Sequence, residues 1–247
     1  MNTIISLLVL VAIVGSVPVA FWPVAILWLM AIPFGKGDVL MHKILEGWAR
    51  YFLWVCPYWH FRMIGAPVKE KNRPYVIVSN HQSMLDIIVI YRLSMQFRWV
   101  SKVENFRIPL FGWLMEMAGY IKLKRNNSKS ILKMYNESAK VLSEQKSILI
   151  FPEGTRSRDG QLQKFKDGAF RLAHDMKAPI LPVVIEGTHG AIPDKGIRLA
   201  KNKRFTMKVL EPVGYDEFKN KSVDETVKMI RELILSELTR VREKKHD

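Results

Sequence analysis

Apolar and polar positions follow different patterns in two parts of this chain. The first 35 residues carry no charged side chain and are almost wholly apolar. Beyond residue 70, short runs rich in β-branched and aromatic residues alternate with stretches of helical periodicity, of which residues 128–144 are the clearest. The strand-like runs cover residues 75–79, 97–101, 120–123, 147–151, 180–185 and 205–210. This alternation predicts an α/β fold with a largely parallel sheet covered by helices.

The uncharged N-terminal segment is long enough to enter a membrane. As one helix, its 35 residues would measure about 50 Å, whereas the hydrocarbon core of a bilayer is about 30 Å thick. Gly15, Pro18 and Pro23 are therefore expected to break it into two shorter pieces. We expect these pieces to form a hairpin within one leaflet, and a single tilted span is the alternative. A signal peptide is a further alternative, although no Lys or Arg precedes the apolar residues.

Residues 36–65 contain aromatic and basic side chains in the mixture that is typical of a membrane headgroup region. They are Trp48, Tyr51, Phe52, Trp54, Tyr58, Trp59 and Phe61, together with Lys43, Arg50 and Arg62. A core helix with an aromatic face is the alternative. Basic residues follow the apolar segment and none precedes it, so the rest of the chain is expected on the cytoplasmic side of an inner or plasma membrane.

These patterns divide the chain into two parts. Residues 1–65 are predicted to be a membrane-anchoring helical segment, and residues 66–247 an α/β domain. Near the C-terminus, residues 223–245 are apolar on one helical face and charged on the other. That periodicity predicts a helix that packs on the domain.

The 247-residue chain has a formal net charge of +15, which indicates an anionic partner. Nucleic acid, lipid headgroups and phosphorylated substrates all satisfy that charge. The uncharged N-terminal segment favours a lipid surface, since a nucleic-acid-binding role would leave it unexplained. The single cysteine, Cys56, cannot form an intramolecular disulfide, and no Cys/His cluster has the spacing of a zinc site. Neither a disulfide framework nor a structural metal is therefore expected.

Residues 80–86 combine a histidine and an acid directly after the first strand-like run. His81 and Asp86 are five positions apart, and on one continuous helix they would point about 140° away from each other. They can meet only if His81 lies in the loop and Asp86 in the first turn of the following helix, which we expect over residues 84–95. A carboxylate that orients an imidazole is the arrangement of a general base. The alternative is a plain helix start, because Ser83 and Asp86 have the spacing of a capping box.

A second polar loop follows another strand-like run and reads Phe-Pro-Glu-Gly-Thr-Arg-Ser at residues 151–157. Together, the two loops resemble motifs of the glycerolipid acyltransferase family, membrane enzymes that acylate glycerol 3-phosphate or lysophosphatidic acid. Residues 80–86 match the first motif with its His-x4-Asp spacing, and residues 151–157 match the third motif of the 1-acylglycerol-3-phosphate branch. The second and fourth motifs are matched by Lys102, Pro109, Gly112, Gly119 and Arg125, and by the apolar residues 180–184.

The resemblance implies transfer of a fatty acyl group from an acyl thioester to the sn-2 hydroxyl of 1-acylglycerol 3-phosphate, which yields phosphatidic acid. His81 is then the general base and Asp86 its orienting carboxylate. The nucleophile belongs to the acceptor, and the sequence has no Gly-x-Ser-x-Gly elbow, so a direct transfer without an acyl-enzyme is implied. The helix start after His81 is expected to offer free backbone N–H groups to the tetrahedral oxyanion.

The phosphate of such an acceptor requires cations. Arg156, in the third motif, presents a planar guanidinium that can bind phosphate through two hydrogen bonds. Lys102 and Arg125, at the two ends of the second motif, are the natural additions. The basic residues outside the motifs are interpreted as surface charges, with at most an accessory role towards an anionic donor or lipid: Lys164, Lys166 and Arg171.

Other third-motif residues are assigned from the family resemblance alone. Glu153 is implied as the acceptor of a hydrogen bond from a substrate hydroxyl, and Gly154 as a position of close approach. Thr155 favours the lysophosphatidate branch. No metal or cofactor is implied beyond the acyl thioester, which is acyl-CoA or acyl carrier protein. The implied partners are therefore lysophosphatidic acid, the acyl donor and the lipid bilayer, without nucleic acid.

Two other functions stay open on the sequence. The protein could acylate glycerol 3-phosphate itself or another lysophospholipid, or it could be a non-catalytic protein that binds anionic membranes. Intact His81 and Asp86 argue against the non-catalytic role, because binding alone requires no base with an orienting carboxylate.

Overall fold

The computed structural model describes residues 2–65, 73–157, 159–193 and 196–243. Its strands are β1 Trp59–Ile64, β2 Val76–Ser79, β3 Phe97–Lys102, β4 Ile121–Leu123, β5 Ser147–Ile150, β6 Ile180–Glu186 and β7 Lys203–Val209. Its α-helices are α1 Thr3–Ala31, α2 Gly37–Val55, α3 Leu85–Ile90, α4 Phe111–Met117, α5 Ser128–Ser143, α6 Gly168–Asp175, α7 Tyr215–Phe218 and α8 Val223–Glu243. Short 3-10 segments occur at Ile32–Phe34, Tyr91–Leu93 and Val103–Arg107.

Within the described residues, these strands form one sheet in the order β1-β7-β6-β2-β5-β3-β4. Neighbouring strands are parallel, except that β6 and β7 are antiparallel. The predicted α/β fold with a largely parallel sheet is therefore confirmed. Each strand-like run of the sequence forms a strand, with shifts of one or two residues at the ends.

Helices cover both faces of the sheet, and each face has its own apolar core. Ile77 and Leu149 belong to the core under α1 to α4, whereas Val76 and Ile148 belong to the core under α5 to α8. Central strands that are buried on both sides have continuous apolar sequences, which explains the short apolar runs. The predicted C-terminal helix is α8, and its buried apolar residues are Ile230, Ile234 and Leu238.

Strand β1 lies in the segment that the sequence assigns to the headgroup region. It pairs in parallel with β7, and Phe61 lies opposite Phe205. Trp59 is buried, and its indole Nε1 donates to the carbonyl of Ala200 at 2.9 Å. Packing on the sheet thus outweighs the interfacial preference of these aromatic residues. The domain boundary at residue 65 stays a prediction, although Trp59–Ile64 is part of the sheet.

Helix α2 is a core helix on one of its faces, which was the alternative interpretation of residues 36–65. Met41, Leu45, Ala49 and Phe52 are buried on one of its faces. Trp54, on the other face, is 78% exposed. The aromatic residues of this segment therefore divide between the core and the surface, and only the exposed ones are free to meet lipid.

Helix α1 continues through Gly15, Pro18 and Pro23, so the predicted break at these residues is wrong. Each proline removes one backbone N–H and crowds the carbonyl four residues earlier. Apolar helices tolerate this loss where neighbouring helices and hydroxyl groups surround the bend. Here α1 packs along α2, and Trp48 Nε1 donates to Ser16 Oγ at 3.0 Å. The hairpin in the structure is therefore formed by α1 and α2, not by two halves of α1.

Both ends of α1 contact the α/β domain. Near its start, Thr3 Oγ1 and Ser6 Oγ accept hydrogen bonds from residues 198–199 at 2.7 and 3.1 Å. Near its end, Trp28 Nε1 donates to the carbonyl of Met117 at 3.2 Å. A helix of 29 residues extends about 43 Å. Because it is attached at both ends, α1 lies along the domain and does not project away from it.

The outer face of α1 is apolar and exposed. The segment Thr3–Phe34 is long and apolar enough to cross a membrane, by length and composition alone. The exposed side chains include Ile4, Leu8, Val11, Val19, Trp22, Met30 and Phe34. Contiguous apolar surface of this extent marks a site of contact with a membrane or another protein.

Candidate active site

His81 and Asp86 meet where strand β2 ends. His81 lies in the loop after β2, and Asp86 lies in the first turn of α3, which is the arrangement that their spacing requires. The His81 Nδ1 atom and Asp86 Oδ2 are 2.7 Å apart. The carboxylate is completely buried, and the His81 side chain is 13% exposed. Nδ1 is therefore occupied by the acid, and Nε2 is the nitrogen left for a substrate.

The backbone of the same loop fixes the Asp86 carboxylate. Oδ2 also accepts from the N–H groups of Gln82 at 2.6 Å and of Ser83 at 2.8 Å. Only half of the capping box that the sequence offered as an alternative is formed, because the Ser83 N–H donates to the Asp86 side chain whereas Ser83 Oγ accepts from the N–H of Leu85 at 3.3 Å and not from that of Asp86. Helix α3 ends at Ile90 and is shorter than the predicted residues 84–95.

These contacts correct one expectation about the oxyanion. The helix start was expected to offer free N–H groups, but those of Gln82 and Ser83 already bind Asp86. The N–H of Asp86 itself donates to the carbonyl of Ser83 at 3.2 Å. This part of the loop therefore holds the carboxylate in place instead of facing a substrate.

Glu153 holds the backbone of His81 in place. It is 4% exposed, and Oε1 accepts from the backbone N–H of His81 at 2.7 Å while Oε2 accepts from that of Gln163 at 3.1 Å. Burial raises the pKa of the Glu153 carboxyl, and the two backbone donors oppose that rise. The family resemblance implied that Glu153 meets a substrate hydroxyl, but the structure directs both of its oxygens to the backbone.

The third-motif loop and the first-motif loop are joined at two further points. The N–H of Ser157 donates to the carbonyl of His81 at 2.8 Å. The Phe151 ring stacks on the His81 ring, with centroids 4.1 Å apart and planes at 18°. Asn80 connects the first loop to β6, because its side chain exchanges hydrogen bonds of 2.8 and 2.9 Å with the backbone of Ile185. The strand that contains the fourth motif, Ile180–Glu186, thus supports the first motif.

A cavity of about 490 Å³ opens beside His81 at the carboxyl ends of β3, β4 and β5. Ligands of open parallel sheets commonly bind at this edge. Part of the wall is apolar and includes Ile87, Trp99, Ile131 and Met134. Another part is formed by the second and third motifs, which contribute Lys102, Arg125, Gly154, Thr155 and Arg156. The structure therefore brings the predicted binding residues together around one cavity, apart from Glu153.

Cations dominate the polar wall. Lys102 ends β3 and Arg125 follows β4, so the pairing of these strands brings the ends of the second motif together. Arg156 and Lys166 complete the set. In the part of the chain that the structure describes, none of these four side chains forms an ion pair. Asp167 also lines the cavity, but its carboxylate pairs with Arg171 at 2.9 Å. The four cations therefore leave an excess of positive charge that favours an anionic ligand.

Lys166 was interpreted from the sequence as a surface charge. Its N–H donates to the carbonyl of Pro152 at 2.8 Å, which brings the lysine back to the third motif. The φ angle of Gly154 is +69°, and a Cβ there would lie 3.0 Å from the Lys166 side chain. The third-motif glycine therefore leaves space for this cation. Lys164 and Arg171 lie outside the cavity wall, and Arg171 pairs with Asp167 at 2.9 Å.

The glycine at the centre of the second motif has a packing reason. A Cβ on Gly112 would lie 2.1 Å from the carbonyl oxygen of Phe106, so no larger residue fits without a backbone shift. Among the described residues, no group of three or more His, Cys, Asp or Glu side chains could hold a metal ion. The chemistry available at this site is that of an imidazole, a buried carboxylate and a cationic wall.

The sheet and its helices form an α/β fold. At the carboxyl edge of this sheet, His81 directs Nε2 towards a cationic cavity, which is the arrangement of an enzyme active site. The model of the acyltransferase family matches residues 60–186, about half of the chain, including both loops. The chain therefore belongs to the acyltransferase family.

Several relatives are 1-acyl-sn-glycerol-3-phosphate acyltransferases. One from Chlamydomonas reinhardtii is 32% identical over 194 residues, which is 75% of this chain and 56% of the relative. The chloroplastic enzyme LPAT1 of Arabidopsis thaliana is 36% identical over 153 residues, or 62% and 42% of the two chains. That of Saccharomyces cerevisiae is 29% identical over 189 residues, or 72% and 62%. The chain spans about half the length of the curated relatives it matches.

The fold has a counterpart among solved structures. The crystal structure of the 1-acyl-sn-glycerophosphate acyltransferase from Thermotoga maritima superimposes with a TM-score of 0.81 at 24% sequence identity. The match covers 98% of each chain, so the helical N-terminal part is included in the shared fold.

Proposed function

We propose that the protein transfers a fatty acyl group from an acyl thioester to the sn-2 hydroxyl of 1-acylglycerol 3-phosphate, which yields phosphatidic acid. The observation that carries this proposal is the His81–Asp86 pair of 2.7 Å at the wall of a cavity that is also lined by four cations, none of which forms an ion pair with another described residue. The names of the curated relatives support the same reaction. Membership of the acyltransferase family sets the reaction type, and the cationic wall fits the phosphate of the acceptor.

In the proposed mechanism, His81 Nε2 takes the proton of the acceptor hydroxyl as its oxygen attacks the thioester carbonyl. Asp86 holds the Nδ1 proton and stabilises the imidazolium that forms. Collapse of the tetrahedral intermediate breaks the carbon–sulfur bond, and the imidazolium returns its proton to the leaving thiolate. No acyl-enzyme is formed, because the nucleophile belongs to the substrate.

The acceptor phosphate is proposed to lie between Arg156, Lys102 and Arg125, with Lys166 as a fourth cation. Arg156 offers two parallel donors, which fixes the orientation of the phosphate as well as its position. The acyl chains are proposed to lie along the apolar wall. The donor is acyl-CoA or acyl carrier protein, and no further cofactor takes part.

The experiment that tests this function offers lysophosphatidic acid and glycerol 3-phosphate in parallel to the purified protein, with acyl-CoA and acyl carrier protein as donors. Phosphatidic acid from lysophosphatidic acid is the expected product. Exclusive acylation of glycerol 3-phosphate would support the neighbouring activity. No transfer with either acceptor and either donor, while the protein still binds anionic vesicles, would favour the non-catalytic membrane-binding function.

We also propose that α1 rests in one leaflet of an inner or plasma membrane, with the α/β domain on the cytoplasmic side. The attachment of both helix ends to the domain supports a position along the surface, because a spanning helix would carry the residues near Thr3 through the hydrocarbon. A cysteine introduced near Asn2 tests this placement. Labelling from the same side as a cysteine at Lys43 is expected, and labelling only from the opposite side would show a span.

A further inference from the structure

The two oxygens of Asp86 are held from different parts of the chain. Oδ2 accepts from three donors within residues 81–83. Oδ1 accepts from the hydroxyl of Thr188, whose Oγ1 atom lies 2.5 Å away. Thr188 is completely buried, and among the described residues it is the one donor to Oδ1. Thr188 therefore contributes a contact that the loop of His81 cannot supply.

The topology of the sheet explains how Thr188 reaches this position. Strand β6 lies beside β2, and both end at the same edge. After Glu186 the chain turns at Gly187, whose φ angle of +91° is one that side-chain-bearing residues rarely adopt. The carbonyl of Thr188 accepts from the N–H of Ala191 at 3.2 Å, which fixes the turn. The hydroxyl is thereby presented to the buried carboxylate from the neighbouring strand.

A second polar contact holds the same region from the C-terminal helix. Gln82 Nε2 donates to Glu186 Oε2 at 3.0 Å and to the carbonyl of Gly160 at 3.3 Å. Arg242, in the last turn of α8, donates to the same two acceptors at 3.1 and 2.6 Å. Thr188 Oγ1 also lies 3.4 Å from Gln82 Oε1. The residues beside His81 are thus connected to the end of α8 through Glu186.

We propose that Thr188 is a positioning residue of the His81–Asp86 pair. The three donors to Oδ2 fix only one end of the Asp86 carboxylate, so the group could still rotate and move Oδ1. The hydrogen bond from Thr188 to Oδ1 prevents this rotation. A carboxylate fixed in this way stays directed at Nδ1 through the protonation and deprotonation of His81. The kinetic part of this proposal rests on the proposed acyl transfer, whereas the geometric part does not.

The test compares Thr188→Val with Thr188→Ser in the full-length protein. Valine keeps the shape of the side chain and removes the donor, whereas serine keeps the donor. For acyl transfer from acyl-CoA to lysophosphatidic acid, Thr188→Val is expected to lower kcat about tenfold with little change in KM. Thr188→Ser is expected to restore most of this loss. Equal kcat values for wild type and Thr188→Val would overturn the proposal.

Thr226→Val is the matched control for loss of a buried hydroxyl. Thr226 is also completely buried, and its hydroxyl lies 2.9 Å from His174 Nε2 in a different part of the fold. The Thr226→Val variant should leave kcat unchanged. If Thr226→Val lowers kcat as much as Thr188→Val does, the effect is general to buried threonines and the proposal fails.

The NMR signal of the His81 Nδ1 proton separates this proposal from the proposed function, because it is read without turnover. In the wild type this proton lies between Nδ1 and a carboxylate oxygen 2.7 Å away, and Thr188 holds the other oxygen of that carboxylate. The resonance is expected to shift or broaden in Thr188→Val and to keep its position in Thr226→Val. A wild type without acyl transfer refutes the proposed function alone. Identical His81 resonances in the wild type and Thr188→Val refute the role of Thr188 alone.

Discussion

The two sides of the cavity are built in opposite ways. On one side, His81 and Asp86 are held by hydrogen bonds within their own loop, by Glu153, which accepts from the His81 N–H, and by Thr188, which donates to Asp86. On the other side, Lys102 and Arg156 are exposed and form no ion pair within the described residues. The first side is held together by its own hydrogen bonds, whereas the second side carries positive charges that no carboxylate of the described residues pairs with.

This difference separates the consequences of substitution. A change on the hydrogen-bonded side disturbs groups that have no water to replace a lost partner, so it should affect turnover and stability together. A change on the cationic side removes charges that repel one another in the absence of ligand. It should weaken substrate binding and leave the free energy of unfolding nearly unchanged.

The largest effect is expected for the pair proposed to be catalytic. His81→Ala and Asp86→Ala should lower kcat by about 10²- to 10⁴-fold, because general-base catalysis contributes that much. Turnover per folded molecule is the quantity to measure, with circular dichroism as the check on folding. Asp86→Ala should also destabilise the protein, since it leaves buried donors without an acceptor. Near wild-type turnover in His81→Ala would contradict the mechanism.

Glu153→Ala should have the second largest effect. It leaves the N–H groups of His81 and Gln163 without their acceptor, and each buried unsatisfied group costs about 1–3 kcal/mol. The free energy of unfolding from urea titration should therefore fall by roughly 2–6 kcal/mol. Glu211→Ala, at an exposed glutamate, is the control and should change it by less than about 0.5 kcal/mol. Equal stability of the two variants would show that Glu153 does not hold the loop.

Arg156→Lys should act on binding alone. The lysine keeps the charge and loses the planar pair of donors, so KM for lysophosphatidic acid is expected to rise about tenfold, with no change in the unfolding midpoint. Arg171→Lys is the matched control, because the Arg171 side chain does not line the cavity and pairs with Asp167 at 2.9 Å. Wild-type KM in Arg156→Lys would show that Arg156 acts as a point charge or lies away from the phosphate.

The smallest effect should distinguish two neighbouring lysines. Lys166→Ala is expected to raise KM a few-fold at low salt, and the effect should shrink as ionic strength rises, since exposed charges are screened. Lys164→Ala should leave KM unchanged, because Lys164 does not line the cavity. If the two variants have the same KM at low salt, net charge and not position determines the effect.

Local sequence information was sufficient where one element decides the outcome. Residues 80–86 contained enough to place His81 in a loop and Asp86 in the next turn, because no other backbone arrangement lets them meet. The strands were predicted because parallel strands covered on both faces require apolar runs. Pattern alone could also assign α8, whose buried residues recur at helical spacing.

Local sequence patterns could not predict the contacts between segments that are distant along the chain. Thr188 is 102 positions from Asp86, and its proximity follows from β6 lying beside β2, which no local pattern specifies. A polar residue just after a strand was the available signal, and it is a common one. Glu153 was assigned to a substrate from the family resemblance alone, whereas here it is buried and accepts hydrogen bonds from the backbone of His81 and Gln163.

The N-terminal third was the least predictable part. Proline rules describe isolated helices in water, whereas α1 is supported by α2 along its length, so Pro18 and Pro23 do not end it. Strand β1 was missed because aromatic and basic residues in alternation are typical both of a headgroup region and of an edge strand with one buried face. The position of Trp59 in the core depends on β7, which lies more than a hundred residues later.

The peptide groups on both sides of the His81 Cα atom are bound to the loop that carries Arg156. The N–H of His81 donates to Glu153, and the carbonyl of His81 accepts from the N–H of Ser157. Local opening of residues 151–157 would therefore release the imidazole and the guanidinium in a single event. A molecule with an open loop has neither a seated acceptor nor a directed base. Under the proposed function, water that enters such a molecule would meet no directed base, so the acyl thioester would not be hydrolysed between turnovers.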